Sequence, residues 1–564
     1  MPMQVLKQMN VQQLDPRLLQ SIRQYSYLGE YLKGISRSVG APVFYDTYEL
    51  SYDLKKERNV NILYPVSKGV FIHIYMPPTG TVSGYRKYIV IEPPRPDPKL
   101  LELIDRKLAE ILTEEDVSED VEAKKKIILS KLDRIIKVVS ERVDYGRVNG
   151  GGKIPIYAGE LEHVKYYVIR DKVGLGVLEP FLSDPWLEDI TCKGLGYVYT
   201  VHKIFGPLET SIEFRTKEEL DIFLIRLTER IGKPVSHARA IVDATLPDGS
   251  RLNIVFGEDV SLHGSNFTIR RFSKIPVSVT QIIAWGTMDE YIAAYLWILL
   301  NHNMSGFVCG ETASGKTTTL NAISVFIPPT YKIITIEDTA EVQLPHPNWV
   351  RELTRDTGVK ESSISMFDLL RAALRQRPNY IIVGEIRGQE AAIAFQAMQT
   401  GHPVLSTFHA ANVQSLIQRL SGDPIRIPKT FMDNLNFAVF QNAVWVKGLM
   451  VRRITSINEI VGYDPKSDSI VYFPIFVWDP IRDVFMFRGR GASHLLENKI
   501  APMRGISRIN MNRIYEELNA RARFLRELVN RKVMNYFDVW KAIVKAYEMG
   551  VERALEKLQK GTLL

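Results

Sequence analysis

Eight consecutive residues, Gly310-Glu311-Thr312-Ala313-Ser314-Gly315-Lys316-Thr317, restrict this chain more than any other feature. They fit G-x-x-x-x-G-K-[ST], and the context fits as well. An apolar run, Gly306-Phe307-Val308-Cys309, leads in, and a helical stretch from Thr318 to Phe326 leads out. Strand, glycine turn and helix in that order let backbone N–H groups curl around phosphate where the helix dipole favours negative charge. The motif thus places Gly310, Glu311, Thr312, Ala313, Ser314, Gly315, Lys316, Thr317 and Thr318 around a bound nucleotide, with ATP and Mg²⁺ as the expected ligands. Lys316 should reach the β- and γ-phosphates, and the Thr317 hydroxyl should ligate Mg²⁺.

Further apolar strands follow at Lys332–Ile336, Tyr380–Val383 and Val404–Thr407, each bounded by helical segments. That alternation predicts an α/β domain with a mainly parallel sheet covered on both faces. Acidic clusters end two of these strands, Glu337-Asp338-Thr339-Ala340-Glu341 and Gly384-Glu385-Ile386-Arg387. Ligands of open α/β sheets bind beyond the strand C-termini, so these carboxylates should face Lys316. A single strand-end acid is usually a helix cap; several in one such domain point to Mg²⁺ and water ligands, here Glu337, Asp338 and Glu385 with Thr317. His409, after Ser406-Thr407-Phe408, is a candidate γ-phosphate sensor or inter-subunit contact, although a lone histidine is more often structural.

The remaining chain divides by pattern. Residues 1–95 read as a small α+β unit, with a helix from about Asp15 to Arg37 and strands at Val70–Tyr75 and Tyr88–Ile91. Residues 96–150 read as a helical hairpin ending in a Gly150-Gly151-Gly152 linker. Leu101, Ile104, Leu108 and Ile111 line one helix of it; Ile128, Leu132, Ile135 and Val139 line the other. The basic residues Lys124–Lys137 on the second helix are either a solvated face or a membrane-surface or partner contact. An α+β domain over 155–275 contains a turn at Asp248-Gly249-Ser250-Arg251, and 273–280 reads as a hinge. The ATPase domain is expected over 280–490 and a helical extension over 491–564.

A chain of 564 residues with 45% apolar and 24% charged residues is ordinary for a globular protein of several domains. Net charge +8 is a mild excess, diagnostic neither of lipid nor of nucleic acid. Two distant cysteines, Cys192 and Cys309, exclude a zinc or disulfide framework and suit a reducing compartment. Met1–Asn10 has no apolar signal-like core. The most apolar stretch, Tyr291–Leu300, is about half the ~20 residues of a membrane span. It should be a buried helix, and any membrane association should be peripheral.

Taken in order, the motifs resemble those of the secretion ATPase superfamily, the motors of type II and type IV secretion, type IV pili and the archaellum. The P-loop is followed by an acidic box, Thr335–Glu341, an atypical Walker B, Ile381–Arg387, and a histidine box from Thr400-Gly401-His402 through Thr407–Ala410. Leu374-Arg375-Gln376-Arg377-Pro378 sits before Walker B, and Leu187-Glu188-Asp189-Ile190 with Asp248–Arg251 extends the likeness upstream, to roughly 160–490. A C-terminal tetracysteine motif of many bacterial members is absent, which favours the archaeal pilus and archaellum branch.

The resemblance implies a RecA-like ATPase domain preceded by an α+β, PAS-like domain and a further N-terminal extension. It also implies a homohexamer, cytoplasmic and peripheral at the inner face of the cell membrane, working on a polytopic platform protein to drive filament assembly or secretion. By position, Glu341 resembles the general base, Glu385 the Walker B acid and His409 the histidine-box residue. Arg251, Arg270 and Arg271 resemble the arginines of the preceding domain that reach the γ-phosphate; each could instead form a surface salt bridge. The rival readings are a DNA- or protein-transfer ATPase of type IV secretion, a nucleic-acid translocase or helicase, a small-molecule kinase and a non-hydrolysing scaffold. No specific nucleic acid is expected as partner.

Overall fold

Alternation of side chains across strands governs both large sheets. The computed structural model describes residues 15–563 apart from 51–53, 56, 58, 78–83, 114–119, 149–151, 272–274 and 356–360. Met1–Asn10 and Gly150-Gly151 lie outside the described residues. Two units result, Met1–Phe272 and Ser273–Leu564.

In the first unit, β1 (Val43–Phe44), β2 (Asn61–Ser67), β3 (Val70–Tyr75) and β4 (Arg86–Ile91) share one ten-stranded sheet with six later strands. Those are β7 (Leu187–Cys192), β8 (Gly196–His202), β9 (Gly206–Phe214), β10 (Ile241–Thr245), β11 (Arg251–Val255) and β12 (Asn266–Arg270), in the order β1-β2-β3-β4-β9-β8-β7-β12-β11-β10. A short parallel pairing of β4 with β9 (Arg86 opposite Leu208) joins the halves, so the expected boundary near 95 does not divide the sheet. Apart from it lie β5 (Ile136–Val139) and β6 (Ile154–Tyr157), a parallel pair.

Two helix expectations need correction. The helix from Asp15 to Arg37 is two, Pro16–Gln24 and Ser26–Val39, because Tyr25 is extended (φ −123°, ψ 91°) and packs its ring 5.7 Å from Phe71. The second hairpin helix stops at Ile135. Val139, expected on its face, belongs to β5, where β-branched Ile136, Val138 and Val139 suit a strand better than a helix. In the first hairpin helix Leu100, Ile104 and Leu108 are buried, and Leu101 is only half-buried.

The second unit is built on a nine-stranded mixed sheet. Six strands are parallel, in the order β15 (Trp349–Leu353), β14 (Ile333–Glu337), β16 (Tyr380–Ile386), β17 (Val404–Phe408), β13 (Gly306–Cys309), β18 (Phe437–Val446). β19 (Leu449–Asp464), β20 (Ser469–Asp479) and β21 (Val484–Phe487) complete it as an antiparallel meander. Phe307 and Cys309 face one apolar core and Val308 the other, as a sheet covered on both sides requires. The helices Met366–Ala373, Glu390–Gln399 and Val413–Ser421 cover one face. The other is covered by Glu290–Asn301 together with the C-terminal helices Asn512–Asn530, Tyr536–Met549 and Val551–Gln559. The residues after 490 therefore share a core with the sheet instead of forming a separate extension. Glu290–Asn301 is the buried helix expected at Tyr291–Leu300, and no described helix is long and apolar enough to cross a membrane.

Candidate functional site

The loop 310–315 leaves β13 at its C-terminal end and turns directly into the helix Lys316–Ser324. Gly315 lies in the left-handed region (φ 92°), and Ala313 does too (φ 61°). A Cβ on Gly310 would overlap the Gln441 carbonyl oxygen, and one on Gly315 would lie 2.9 Å from Gln441 Nε2. These two positions require glycine because β18 runs so close beneath the loop. No side-chain hydrogen bond caps the helix, at the end where a bound anion would meet its dipole. Lys316 is nearly buried and its Nζ donates to the Glu311 carbonyl at 2.8 Å, folded over the loop. Thr317 and Thr318 are half-buried at the helix start.

The loop is held from outside. Gln441, on β18, donates from Nε2 to the Ser314 carbonyl (2.8 Å) and accepts from Thr319 Oγ1 (2.6 Å). Arg452 on β19 donates from Nε to the Ala313 carbonyl at 3.1 Å. Nothing in the motif pointed to either residue. The one available signal was a glutamine interrupting the apolar run Phe437-Ala438-Val439-Phe440, since a buried amide must find partners.

The acidic box is a turn shaped by Glu337. Its Oε1 accepts the N–H groups of Glu341 (2.8 Å) and Val342 (2.7 Å), and Oε2 is buried without a hydrogen-bond partner. Burial raises its pKa to about 7 against the pull of those two N–H groups. Asn321, on the P-loop helix, clasps the same turn: Nδ2 donates to the Glu341 carbonyl (3.0 Å) and Oδ1 accepts from Gln343 N (2.9 Å). The Tyr536 hydroxyl closes the arrangement by donating to the Gln343 carbonyl at 3.0 Å. Asp338 is exposed and accepts from Thr354 Oγ1 at 3.1 Å.

Walker B carries a bulge at Gly384, where the β16–β17 register shifts. Thr407 Oγ1 fixes the bulge by donating to the Gly384 carbonyl at 2.6 Å. Glu385 then stands between the Arg387 guanidinium and the His409 ring. Arg387 Nε donates to Oε2 at 2.8 Å, and His409 Nε2 lies 2.7 Å from Oε1, close enough for an ion pair but outside hydrogen-bond alignment. Partial burial and then the Lys316 charge push the His409 pKa down, with Glu385 opposing. Lys316, Glu385, Arg387 and His409 thus form one electrostatic cluster at the C-terminal ends of β13, β16 and β17.

The expected metal set is only partly assembled. Among the described residues no three His, Cys, Asp or Glu side chains gather to hold an ion. Glu337 spends one oxygen shaping its turn, and Asp338 accepts from Thr354. Thr317 and Glu385 remain, and Glu385 Oε1, buried and lacking a hydrogen-bond partner, fits a hydrated cation. Mg²⁺ keeps several waters and takes few protein ligands beside phosphate oxygens.

The three arginines lie in the first unit, where β11 sets Arg251 opposite Arg270 on β12. Arg270 is exposed and stands opposite Asp189 on β7. Arg271 differs: its side chain is 10% exposed, and Nη1 donates to the Phe181 carbonyl at 3.0 Å and lies 3.9 Å from Asp248. It also supplies positive charge to Asp184, a fully buried carboxylate that accepts from the Tyr64 (2.7 Å) and Tyr88 (2.8 Å) hydroxyls. These contacts hold Arg271 against its own unit, whereas Arg270 is exposed.

A P-loop at the end of a parallel strand, with acids and a histidine closing its neighbours, defines a nucleotide-binding site of the P-loop class. The family model for type II/IV secretion system proteins matches residues 171–426, and the chain belongs to the type II/IV secretion ATPase superfamily. Uncharacterized protein MJ0900 of Methanocaldococcus jannaschii is 48% identical over 547 residues, spanning 95% of this chain and 98% of its own. MJ1287 of the same organism is 49% identical over 254 residues, 45% of this chain and 92% of its own. VirB11 of Rhizobium radiobacter is 30% identical over 259 residues, 41% of this chain and 75% of its own.

Proposed function

We propose that the chain is a Mg²⁺-dependent ATP hydrolase with a RecA-like second unit, working as a homohexameric motor. Its output would be assembly of a type IV pilus-like or archaellum filament, or type II-like secretion, through a polytopic platform protein at the inner face of the membrane. The observation that carries the reading is the convergence of an uncapped P-loop helix with Lys316, Glu385 and His409.

In this reading Lys316 leaves the Glu311 carbonyl for the β- and γ-phosphates, and the freed loop N–H groups take the phosphate oxygens. Thr317 and Glu385 hold Mg²⁺, which neutralises phosphate charge when bound. Glu341, held by Glu337 and Asn321, orients the attacking water and accepts its proton; His409 reports on the γ-phosphate beside Glu385. Arg251 and Arg270 supply the transition-state cation from the domain before the hinge, in cis or from a neighbouring subunit.

Purified protein should hydrolyse ATP only with Mg²⁺, and Lys316→Ala should abolish it. Sedimentation with Mg-ATP should show a hexamer. Unchanged turnover in well-folded Lys316→Ala would end the ATPase reading. Turnover stimulated by DNA would move the assignment to nucleic-acid transfer.

A further inference from the structure

The P-loop is braced by two side chains that belong to no recognised motif. β18 is apolar and buried from Phe437 to Phe440, and then admits one fully buried amide, Gln441, with both ends of the amide used. The β18–β19 register shifts at that point: Phe440 pairs Ser456 but Gln441 pairs Ile454, leaving Thr455 as the extra residue. Bulges re-aim neighbouring side chains, and here Gln441 is turned under the loop. Two pairs further along, Ala443 stands opposite Arg452, whose Nε reaches the Ala313 carbonyl.

Both contacts are made to carbonyls, which is the informative detail. In a planar trans peptide the C=O and the following N–H point in opposite directions. Tying the Ser314 carbonyl to Gln441 therefore turns the Gly315 N–H away from β18. Tying the Ala313 carbonyl to Arg452 does the same for the Ser314 N–H, whose own bond to the Glu311 carbonyl is a long 3.3 Å. Donors fixed before the anion arrives need no reordering when it binds.

We propose that Gln441 and Arg452 are positioning residues of the nucleotide site: by holding the Ser314 and Ala313 carbonyls outward they aim the loop's N–H groups at a polyphosphate. Gln441 does so from a rigid strand and also locks Thr319 on the P-loop helix, so loop and helix move as one piece. The proposal rests on the nucleotide-binding reading above, and the test separates the two.

The test titrates Mg-ADP into the full-length protein by calorimetry and measures steady-state ATP hydrolysis. The variants are Gln441→Glu, which keeps size and the acceptor for Thr319 but loses the donor, and Arg452→Ala and Arg452→Lys. Wild-type protein should bind Mg-ADP. Each variant should bind about tenfold more weakly and raise KM by a similar factor, with kcat at saturation changed less than about threefold. Arg452→Lys should resemble Arg452→Ala, because lysine keeps the charge but has no donor at the Nε position. Wild-type affinity in Gln441→Glu and both Arg452 variants overturns the brace. Full rescue by Arg452→Lys alone overturns it for Arg452 in favour of simple charge attraction. Should wild-type protein bind no nucleotide, the underlying site assignment falls instead. A misfolded Gln441→Glu leaves the decision to exposed Arg452, whose replacement disturbs no core.

Discussion

Replacing Arg271 with alanine distinguishes a catalytic arginine from a structural one. The substitution removes a charged hydrogen bond to the Phe181 carbonyl and strips the buried Asp184 carboxylate of a nearby positive charge. Losing a hydrogen bond made by a charged group costs about 1.5–3 kcal/mol. Asp184 keeps its bonds from the two tyrosine hydroxyls and the Trp186 N–H but loses a nearby positive charge, so the upper end, about 3 kcal/mol, applies here. At roughly 2–4 °C per kcal/mol for a unit of this size, the first unit should melt about 6–12 °C lower. Burial already raises the Asp184 pKa, and loss of Arg271 raises it further. A raised carboxylate pKa means the folded state holds its proton more readily than the unfolded state, so the deficit should shrink as pH falls and Asp184 becomes neutral. Scanning calorimetry of full-length Arg271→Ala and Arg270→Ala at pH 8 and pH 5.5 measures all of this. Exposed Arg270→Ala should stay within about 0.5 kcal/mol of wild type. If Arg271→Ala melted like wild type at both pH values while hydrolysis vanished, the buried assignment would be wrong and the residue would be a phosphate contact.

Two other outcomes are expected. Glu341→Gln should still bind Mg-ATP but turn over on the order of 10²–10⁴-fold more slowly, the range for loss of a general base; normal single-turnover rates would move the base elsewhere. Asp289 caps the helix Glu290–Asn301 by accepting from Ile292 N at 2.8 Å, and burial raises its pKa to about 6. Its folded pKa exceeds the unfolded one, so stability is lost as pH rises from about 4 to about 6. Asp289→Asn keeps the cap and should stabilise by about 1–3 kcal/mol at pH 8 but hardly at pH 4, measured by thermal melts; an equal effect at both pH values would contradict the shift.

Much of the second unit was legible because its signals are local. β13 coincides with the apolar run read from the sequence, and β14, β16 and β17 lie within a few residues of theirs; in the first unit β3 coincides as well. What escaped was non-local. The pairing of Arg86–Tyr88 with Leu208–Thr210 spans more than a hundred residues, and no periodicity encodes it. Gln441 and Arg452 matter only because β18 and β19 pass beneath a loop far away in sequence. Arg271 is a different case: Phe267 and Ile269 face the core, and strict alternation carries the same face on to Arg271. Period two was enough to separate it from Arg270. The resemblance grouped them.

The Tyr536 hydroxyl gives the end of the chain a mechanical meaning. Helix Tyr536–Met549 is seated in the main core and also bonded to the turn that carries Glu341, through Gln343. Asn321 ties that turn in turn to the helix that opens at Lys316. Force applied to the last helices therefore has a stiff path, one hydroxyl and one carboxamide long, to the turn that carries Glu341. If the proposed motor role holds, resistance met by these last helices would displace the turn that carries Glu341, and stepping would slow with load.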